Sequence, residues 1–238
     1  MIEDLYEYSF VIKESKIHMK SNSKEAIKAA VNEIRRNRKD LIEFISDHPE
    51  FLYRLWPINI TANIKVPKIV KLMVESSKIA NVGPMASVAG VLADIGLEAM
   101  LREKANVAIV ENGGEIAAFT DRPIIISIFS NNPNLQNKIG FLLESKDCPI
   151  GVATSSSKTV HALSFGNADS VTVVAINASV ADAAATAICN SVVGKDAERA
   201  IQRGLERAKS IEGVRGVLIV FGDKSGIWGK LPKIVKIS

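Results

Sequence analysis

The chain has 238 residues, of which 47% are hydrophobic, 24% are charged and only 5% are aromatic, and its formal net charge is +4 at pH 7. This composition is typical of a globular protein and excludes a disordered, collagen-like or coiled-coil chain. The two cysteines, which form no Cys-x-x-Cys motif, exclude a disulfide scaffold and a thiolate zinc site and favour a reducing, cytoplasmic compartment.

The chain contains no internal repeat and no linker, so the sequence predicts one domain over 1–238. The first residues are acidic and lack an apolar stretch, so we expect no signal peptide. No uninterrupted run of about 18 apolar residues occurs, so we expect no segment that spans a membrane.

The predicted elements begin with a hairpin of strands at 5–13 and 16–20. A long amphipathic helix follows at 24–46, with a start like a capping box at Asn22 and Glu25, and 50–62 is expected to be irregular. The remaining predicted helices cover 66–80, 84–103, 180–193 and 195–210. The remaining predicted strands cover 107–111, 115–119, 123–129, 138–143, 151–154, 170–176, 214–221 and 226–236. Because helices and strands come in blocks, the sequence predicts an α+β fold with a mostly antiparallel sheet packed against helices.

The positive charge is concentrated in residues 13–39, which hold nine Lys or Arg against three Glu. Such a stripe can follow phosphates. No Phe, Trp or Tyr lies between Phe10 and Phe44, however, so the sequence itself shows no platform on which bases could stack. We interpret the stripe as a solvated helix face and do not expect nucleic acid as a partner, although a protein that interacts through 24–39 remains a third hypothesis.

Two glycine-containing segments are candidates for binding an anion. In Val82–Gly90, Pro84 suits the first turn of a helix, and the free amides of that turn beside Gly83 could hold a phosphate. The alternative is a small-residue helix face that packs tightly on the sheet. Glu111-Asn112-Gly113-Gly114-Glu115 predicts either a tight hairpin turn or a place where a ligand approaches the backbone.

A third candidate segment, 151–166, is rich in hydroxyl side chains. Thr154, Ser155, Ser156 and the residues up to Thr159 suit a phosphate or carboxylate, and His161 could act as a general base near neutral pH. The alternative is a surface loop, because serine-rich segments are usually loops.

The fourth candidate is a pair of oxygen ligands on one helix. Asp182 and Thr186 are four residues apart and therefore share a helix face, which could bind Mg²⁺. The alternative is that Ser179 caps the helix and Asp182 forms the acidic half of a capping box. This alternative leaves Thr186 unexplained.

Taken in order, these segments resemble the ApbE superfamily of FAD:protein FMN transferases, and more closely a small archaeal and bacterial branch of ApbE-like proteins. The resemblance implies an ApbE-like, T-fold-related fold. It implies Asp182, Thr186 and the backbone carbonyl of Ala86 as ligands of Mg²⁺. It also implies His161 as a catalytic residue and a flavin nucleotide such as FAD as a ligand. The residues expected to contact that ligand are Gly83, Ser87, Gly113, Gly114, Glu115, Thr154, Ser155 and Ser156.

The chain departs from the transferases at two places. Ser87 replaces a lysine of the family, and 162–167 replaces the Pro-Arg-Thr-Gly that follows the family's histidine. These changes remove nucleotide and metal contacts and leave open whether a flavin binds.

Three functions are compatible with the sequence. The first is a Mg²⁺-dependent transferase or hydrolase that acts on a phosphorylated, nucleotide-like substrate, with a flavin among the candidates. The second is a non-catalytic protein that binds a flavin, pterin or other small anion in an ApbE-like pocket. The third is the interaction protein named above. The sequence also leaves a homo-oligomer open, because a sheet with edges to cover can pair with a second copy.

Overall fold

The structure of the protein is a computed structural model that describes residues 5–60, 66–130, 132, 138–156 and 165–237. Ser157, Lys158, Thr159 and the predicted base His161 lie outside the described residues. The helices are α1 (Lys24–Asp47), α2 (Glu50–Tyr53), α3 (Lys68–Ala80), α4 (Val88–Arg102), α5 (Ala178–Ser191) and α6 (Ala197–Lys209). A 3₁₀ turn, Pro84–Ser87, leads directly into α4.

The strands form two antiparallel sheets. The strands are β1 (Tyr6–Ile12), β2 (Ser15–Ser21), β3 (Val107–Asn112), β4 (Glu115–Thr120), β5 (Ile124–Ser127), β6 (Ile139–Leu143), β7 (Ile150–Ser155), β8 (Ser170–Ala175), β9 (Val214–Phe221), β10 (Lys224–Gly229) and β11 (Lys233–Lys236). The large sheet has the order β1-β2-β3-β4-β7-β8-β9-β10, and the small sheet has the order β11-β6-β5. All pairings among the described strands are antiparallel, which confirms the α+β prediction.

Alternation of apolar side chains places the large sheet between two layers. One face packs against the helices, with Met19 and Val110 in the core under α1 and α4, and Val173 in the core under α5 and α6. The other face packs against the small sheet, where Ile116 lies in one cluster with Phe141. The helices and the small sheet therefore cover opposite faces of the large sheet.

Three local predictions were wrong. The cap of α1 is Ser23, whose Oγ accepts the N–H of Ala26 at 3.1 Å, while Asn22 accepts the N–H of Val107 on β3 instead. The segment at 50–62 contains the short helix α2. The pattern at 226–236 covers β10 and β11, which belong to different sheets because the chain turns at Gly229, with φ of 75°, and passes through Pro232.

The expectation that no segment spans a membrane stays a prediction. The stretch Pro84–Arg102 is long and apolar enough, by length and composition, to cross a membrane. In the most apolar 18-residue window of this stretch, 61% is buried inside the fold, and helices in a protein core pass the same test of length and composition.

Candidate functional site

The candidate site is built on the first turns of α4 and α5, which contact each other. Asp182 on α5 accepts the backbone N–H of Gly90 on α4 at 2.9 Å. Asp94 on α4 accepts the N–H groups of Ala178 and Ser179, each at 2.8 Å. Each helix therefore supplies a carboxylate to the free amides at the start of the other.

Glycine is required where these helices meet. A Cβ atom on Gly90 would lie 2.2 Å from the carbonyl oxygen of Ala178 and 2.9 Å from the Cβ of Asp182. The small-residue interpretation of Val82–Gly90 therefore explains Gly90. Its N–H is already used by Asp182, and the N–H of Ala86 donates to the carbonyl of Gly83 at 3.1 Å. These two amides are thus not available to an anion.

The N-terminus of α5 is capped by a residue that the sequence analysis did not consider. Asn177 is the N-cap residue, and its side chain accepts the N–H of Val180 at 2.9 Å. The alternative with Ser179 as the cap is wrong, so Asp182 is not part of a capping box. Its carboxylate points instead to α4 and to the cleft described next.

A cleft of about 270 Å³ lies beside this contact. Its lining contains seven of the predicted site residues, namely Gly83, Ala86, Glu115, Thr154, Ser155, Asp182 and Thr186. The other lining residues are Leu52, Arg54, Leu55, Val82, Met85, Val88, Ala89, Phe165 and Asn190. The structure thus brings together residues from four separate stretches of the sequence, with α2 and the segment after it as a fifth contributor.

Four predicted residues do not line the cleft. The hydroxyl of Ser87 is buried and donates to the carbonyl of Pro84 at 3.0 Å, so this side chain is used inside the fold. Ser156 is also buried. Gly113 and Gly114 have φ values of 72° and 118°, which a tight hairpin turn requires, so the structural interpretation explains both glycines.

The hairpin of β3 and β4 nevertheless positions a site residue. The side-chain amide of Asn112 donates to the carbonyl of Ala89 at 3.2 Å and so fixes the end of β3 to the start of α4. Glu115 pairs with Asn112 across the hairpin and lines the cleft. The turn therefore acts indirectly, by placing Glu115 near Asp182.

Sequence reasoning missed two polar residues of the cleft, Asn190 and Arg54. Asn190 extends the spacing of Asp182 and Thr186 by another four residues on α5, and this spacing could have revealed it. Its Oδ1 accepts the N–H of Phe165 at 2.7 Å and so fixes Phe165, another residue of the cleft lining, to α5. No sequence signal indicated Arg54.

Gly83 explains why Arg54 reaches the site. A Cβ atom on Gly83 would lie 1.8 Å from the carbonyl oxygen of Arg54 and 3.0 Å from the Cα of Leu55. Only glycine permits this close approach of the two backbones. Gly83 therefore contributes to the cleft by letting the segment after α2 form one of its walls.

The surroundings of the two carboxyl groups in the cleft, those of Asp182 and Glu115, disfavour the charged forms of both side chains. Burial, together with the nearby Asp94, raises the pKa of Asp182 to about 7. Burial and the charge of Asp182 raise the pKa of Glu115 well above its usual range. Within the described residues, no Lys, Arg or His forms an ion pair with either carboxylate, and Arg54 is the one cation in the cleft lining. A bound cation would relieve this repulsion.

The oxygen-rich donor set restricts the kind of cation. Among the described residues, no group of three or more His, Cys, Asp or Glu side chains could hold a metal ion. The cleft instead offers carboxylates, hydroxyls and backbone carbonyls, which are the ligands that Mg²⁺ prefers. Ligands of these types do not favour zinc or a redox metal.

Comparison with known proteins assigns the chain to a family. The profile of the family described as "AbpE bacteria" matches residues 2–218. A UPF0280 protein of Methanocaldococcus jannaschii is 40% identical over 228 residues, which are 95% of this chain and 91% of the relative. A UPF0280 protein of Methanobrevibacter smithii is 42% identical over 200 residues, 84% of each chain.

Two solved structures show the same fold at low sequence identity. The flavin transferase ApbE from Vibrio cholerae superposes with a TM-score of 0.58 at 14% identity and covers 99% of this chain and 97% of its own. The ApbE protein of Thermotoga maritima has a TM-score of 0.60 at 16% identity, with 95% and 97% covered. These matches confirm the predicted ApbE-like fold.

Proposed function

Since the chain belongs to the AbpE bacteria family, we propose that it is a Mg²⁺-dependent transferase or hydrolase that acts on a phosphorylated, nucleotide-like substrate. The main support for this proposal is the environment of Asp182. The half-buried Asp182 lies in one cleft with Thr186 and Glu115, and its carboxylate is neutralised by no described cation. A magnesium ion would supply the missing positive charge.

The metal would be held by the side chains of Asp182 and Thr186 and by the backbone carbonyl of Ala86. Glu115 lies close enough to Asp182 for the two carboxylates to interact, and it would add negative charge to the site. The hydrogen bond from Gly90 uses only part of the acceptor capacity of the Asp182 carboxylate, which has about four lone-pair sites. When bound, Mg²⁺ would neutralise the charge that develops on phosphate oxygens during transfer.

The substrate's anionic groups would contact the cation and the hydroxyls of the cleft. Arg54 is exposed, and none of the described residues forms an ion pair with its guanidinium. A planar guanidinium can bind two phosphate oxygens at once. Ser155 adds a hydroxyl, while the hydroxyl of Thr154 is already hydrogen bonded to that of Thr172 at 2.9 Å and can still accept or donate once more.

The apolar part of the lining suits a planar ring. Leu52, Leu55, Met85 and Phe165 lie in the same cleft as the polar groups. Phe165 is 67% exposed, so its ring is available for stacking. The planar ring of a nucleotide base, a pterin or a flavin could pack against these apolar residues. A flavin nucleotide is therefore one candidate for the substrate.

We assign the role of general base to His161. His161 follows Thr154 and Ser155 in the sequence, in the segment where the resemblance to the ApbE superfamily implies a catalytic histidine. An imidazole accepts a proton readily near neutral pH. His161→Gln should abolish turnover while leaving ligand binding unchanged, and unchanged turnover would remove the assigned role.

The proposal is tested by thermal unfolding of the wild type and of Asp182→Ala with FAD, FMN, nucleotides and pterins, each with and without Mg²⁺. A ligand at a hundred times its dissociation constant adds about 2.7 kcal/mol to the free energy of unfolding. We expect the wild type to show a shift that requires Mg²⁺ and Asp182→Ala to lose it. Asp47→Ala, an exposed carboxylate at the end of α1, is the matched control and should respond like the wild type.

The alternative is a binding protein without catalysis. It is favoured by Ser87, which stands where the family has a lysine and whose hydroxyl is used inside the fold. Product analysis separates the two functions. A Mg²⁺-dependent shift without any conversion of the bound ligand would support the binding protein, whereas conversion that depends on Asp182 and His161 would support the enzyme.

A further inference from the structure

A second concave surface lies far along the sheet from the cleft, between the edge strand β1 and helix α1. It has a volume of about 550 Å³ and shares no residue with the lining of the cleft. Its lining consists of Tyr6, Glu7, Tyr8, Lys24, Ile27, Lys28, Val31 and Asn32. We call this surface the β1–α1 groove.

Aromatic side chains form one wall of the groove. Tyr6, Tyr8 and Phe10 alternate along β1, and alternate residues of a strand point to the same face. Tyr6 and Tyr8 are each 43% exposed, and the rings of Tyr8 and Phe10 lie 5.9 Å apart between centroids. Tyr6 and Tyr8 therefore present two rings of the lining that solvent can reach, and the partly buried Phe10 lies next to them outside the lining.

Cationic side chains form the opposite wall. Lys24 and Lys28 belong to the lining, and Arg35 continues their stripe of α1 beyond it; all three residues are exposed. The Lys24 ammonium lies 4.8 Å from the centre of the Tyr6 ring, and the Arg35 guanidinium lies 5.3 Å from the centre of the Phe10 ring. The two stripes thus run side by side, with cations within reach of rings at both ends.

The acidic side chains near the groove do not cancel this charge. Glu7 belongs to the groove lining but alternates with Tyr6 and Tyr8 along β1, and its carboxylate is paired with the Lys20 ammonium at 2.7 Å, which lowers the pKa of Glu7. Glu25 follows Lys24 on α1 and accepts a hydrogen bond from the hydroxyl of Ser23. The lining therefore holds two lysines, Lys24 and Lys28, and one carboxylate, Glu7, whose charge is already paired with Lys20.

We propose that the β1–α1 groove binds single-stranded nucleic acid. Rings on which bases stack, combined with a line of cations that follows the backbone, are the features that such sites share. The sequence alone argued against this partner, because no Phe, Trp or Tyr lies within the basic stretch. The fold supplies the rings from β1, which precedes the helix and folds back along it.

An anionic membrane or an acidic protein segment would also be attracted to the cations. Neither needs a row of exposed rings next to the cations, since the charges alone would hold an acidic surface. The pairing of rings with cations along one groove therefore favours nucleic acid, and the contribution of the rings distinguishes these partners.

The test measures fluorescence anisotropy of labelled oligo-uridine RNA and oligo-thymidine DNA with the full chain over a range of salt concentrations. We expect the Lys24→Glu/Lys28→Glu variant and the Tyr6→Ala/Tyr8→Ala variant to bind about tenfold more weakly or worse, while Tyr6→Phe/Tyr8→Phe retains affinity because the rings remain. Each lost phosphate contact should reduce the slope of log affinity against log salt by about 0.7. The RNA and DNA arms show which strand binds more tightly, and weaker binding of either strand by both groove variants supports the proposal.

Lys71→Glu/Lys78→Glu, which makes the same charge change on exposed positions of α3, is the matched control and should bind like the wild type. Circular dichroism confirms that each variant is folded. Equal weakening in the control would show non-specific attraction and overturn the proposal, as would full affinity in Tyr6→Ala/Tyr8→Ala. Binding to phosphatidylserine vesicles that depends on the lysines, without binding to either oligonucleotide, would assign the groove to a membrane surface instead.

Discussion

The N–H of Gly90 donates to the carboxylate of Asp182 at 2.9 Å, so the residue assigned to the metal also joins α5 to α4. Asp94 makes the reverse connection, from α4 to the N–H groups of Ala178 and Ser179. The two carboxylates look alike in the sequence but differ in position. Asp182 lines the cleft and Asp94 does not, and this difference allows structural and functional effects to be separated.

Gly90→Ala should destabilise the protein by about 1–3 kcal/mol, because the new Cβ atom would lie 2.2 Å from the carbonyl oxygen of Ala178 and would force the helices apart. Urea unfolding measures the change. Lys71→Ala, on an exposed position of α3, should stay within about 0.5 kcal/mol of the wild type. A Gly90→Ala variant as stable as this control would contradict the close contact of α4 and α5.

Asp94→Asn should destabilise the protein by about 1–3 kcal/mol, because one of the two oxygens that accept the N–H groups of α5 becomes a donor. Asp182→Asn should lose the stabilisation by Mg²⁺, whereas Asp94→Asn should keep it. Urea unfolding of both variants with and without Mg²⁺ distinguishes the two roles. If Asp94→Asn lost the Mg²⁺ response and Asp182→Asn kept it, Asp94 rather than Asp182 would be the metal ligand.

The architecture was largely predictable because it rests on local patterns. The helical spacing at 24–46 and the Gly113-Gly114 turn predicted α1 and the hairpin of β3 and β4 closely. The cap at Ser23 was missed because Ser23 and Asn22 are both good cap residues, and only the contact of Asn22 with β3 decides between them.

The site was only partly predictable, since it depends on approaches between distant backbones. The pair of Asp182 and Thr186 was visible from helical spacing, but Arg54 enters the cleft only because Gly83 lets the segment after α2 come close. Ser87 belongs to the same motif as Gly83, and yet its hydroxyl turns inward. The spacing of residues predicts which side chains share a helix face, but it does not predict which other elements pack against that face.

Arg54→Ala should weaken the binding of a phosphorylated ligand about tenfold or more without lowering stability, because Arg54 is an exposed residue of the cleft lining. Arg54→Lys should restore part of the affinity, since it keeps the charge but loses the planar fork. Isothermal titration with the ligand found in the thermal screen provides the measurement. Arg199→Ala, an exposed position on α6, should bind like the wild type; a similar loss in that variant would argue against a direct contact by Arg54.

Without Mg²⁺, the protein should lose stability as the pH rises from about 4 to about 7. Burial raises the pKa of Asp182 from 3.8 to about 7, so in this window the folded state binds more protons than the unfolded state. The free energy of unfolding then falls with increasing pH. Glu115, whose pKa is raised for the same reason and by Asp182, acts in the same direction.

Mg²⁺ competes with the proton for the carboxylate, so it should stabilise the wild type more at about pH 8 than at about pH 5. Melting temperatures across this range, with and without Mg²⁺, measure both effects. Asp182→Asn should show a shallower decline and no response to Mg²⁺, while Asp47→Asn should behave like the wild type because its carboxylate is exposed at the end of α1. A decline of the same slope in the wild type and in Asp182→Asn would show that Asp182 is not the group that titrates and would contradict its proposed role as the metal ligand.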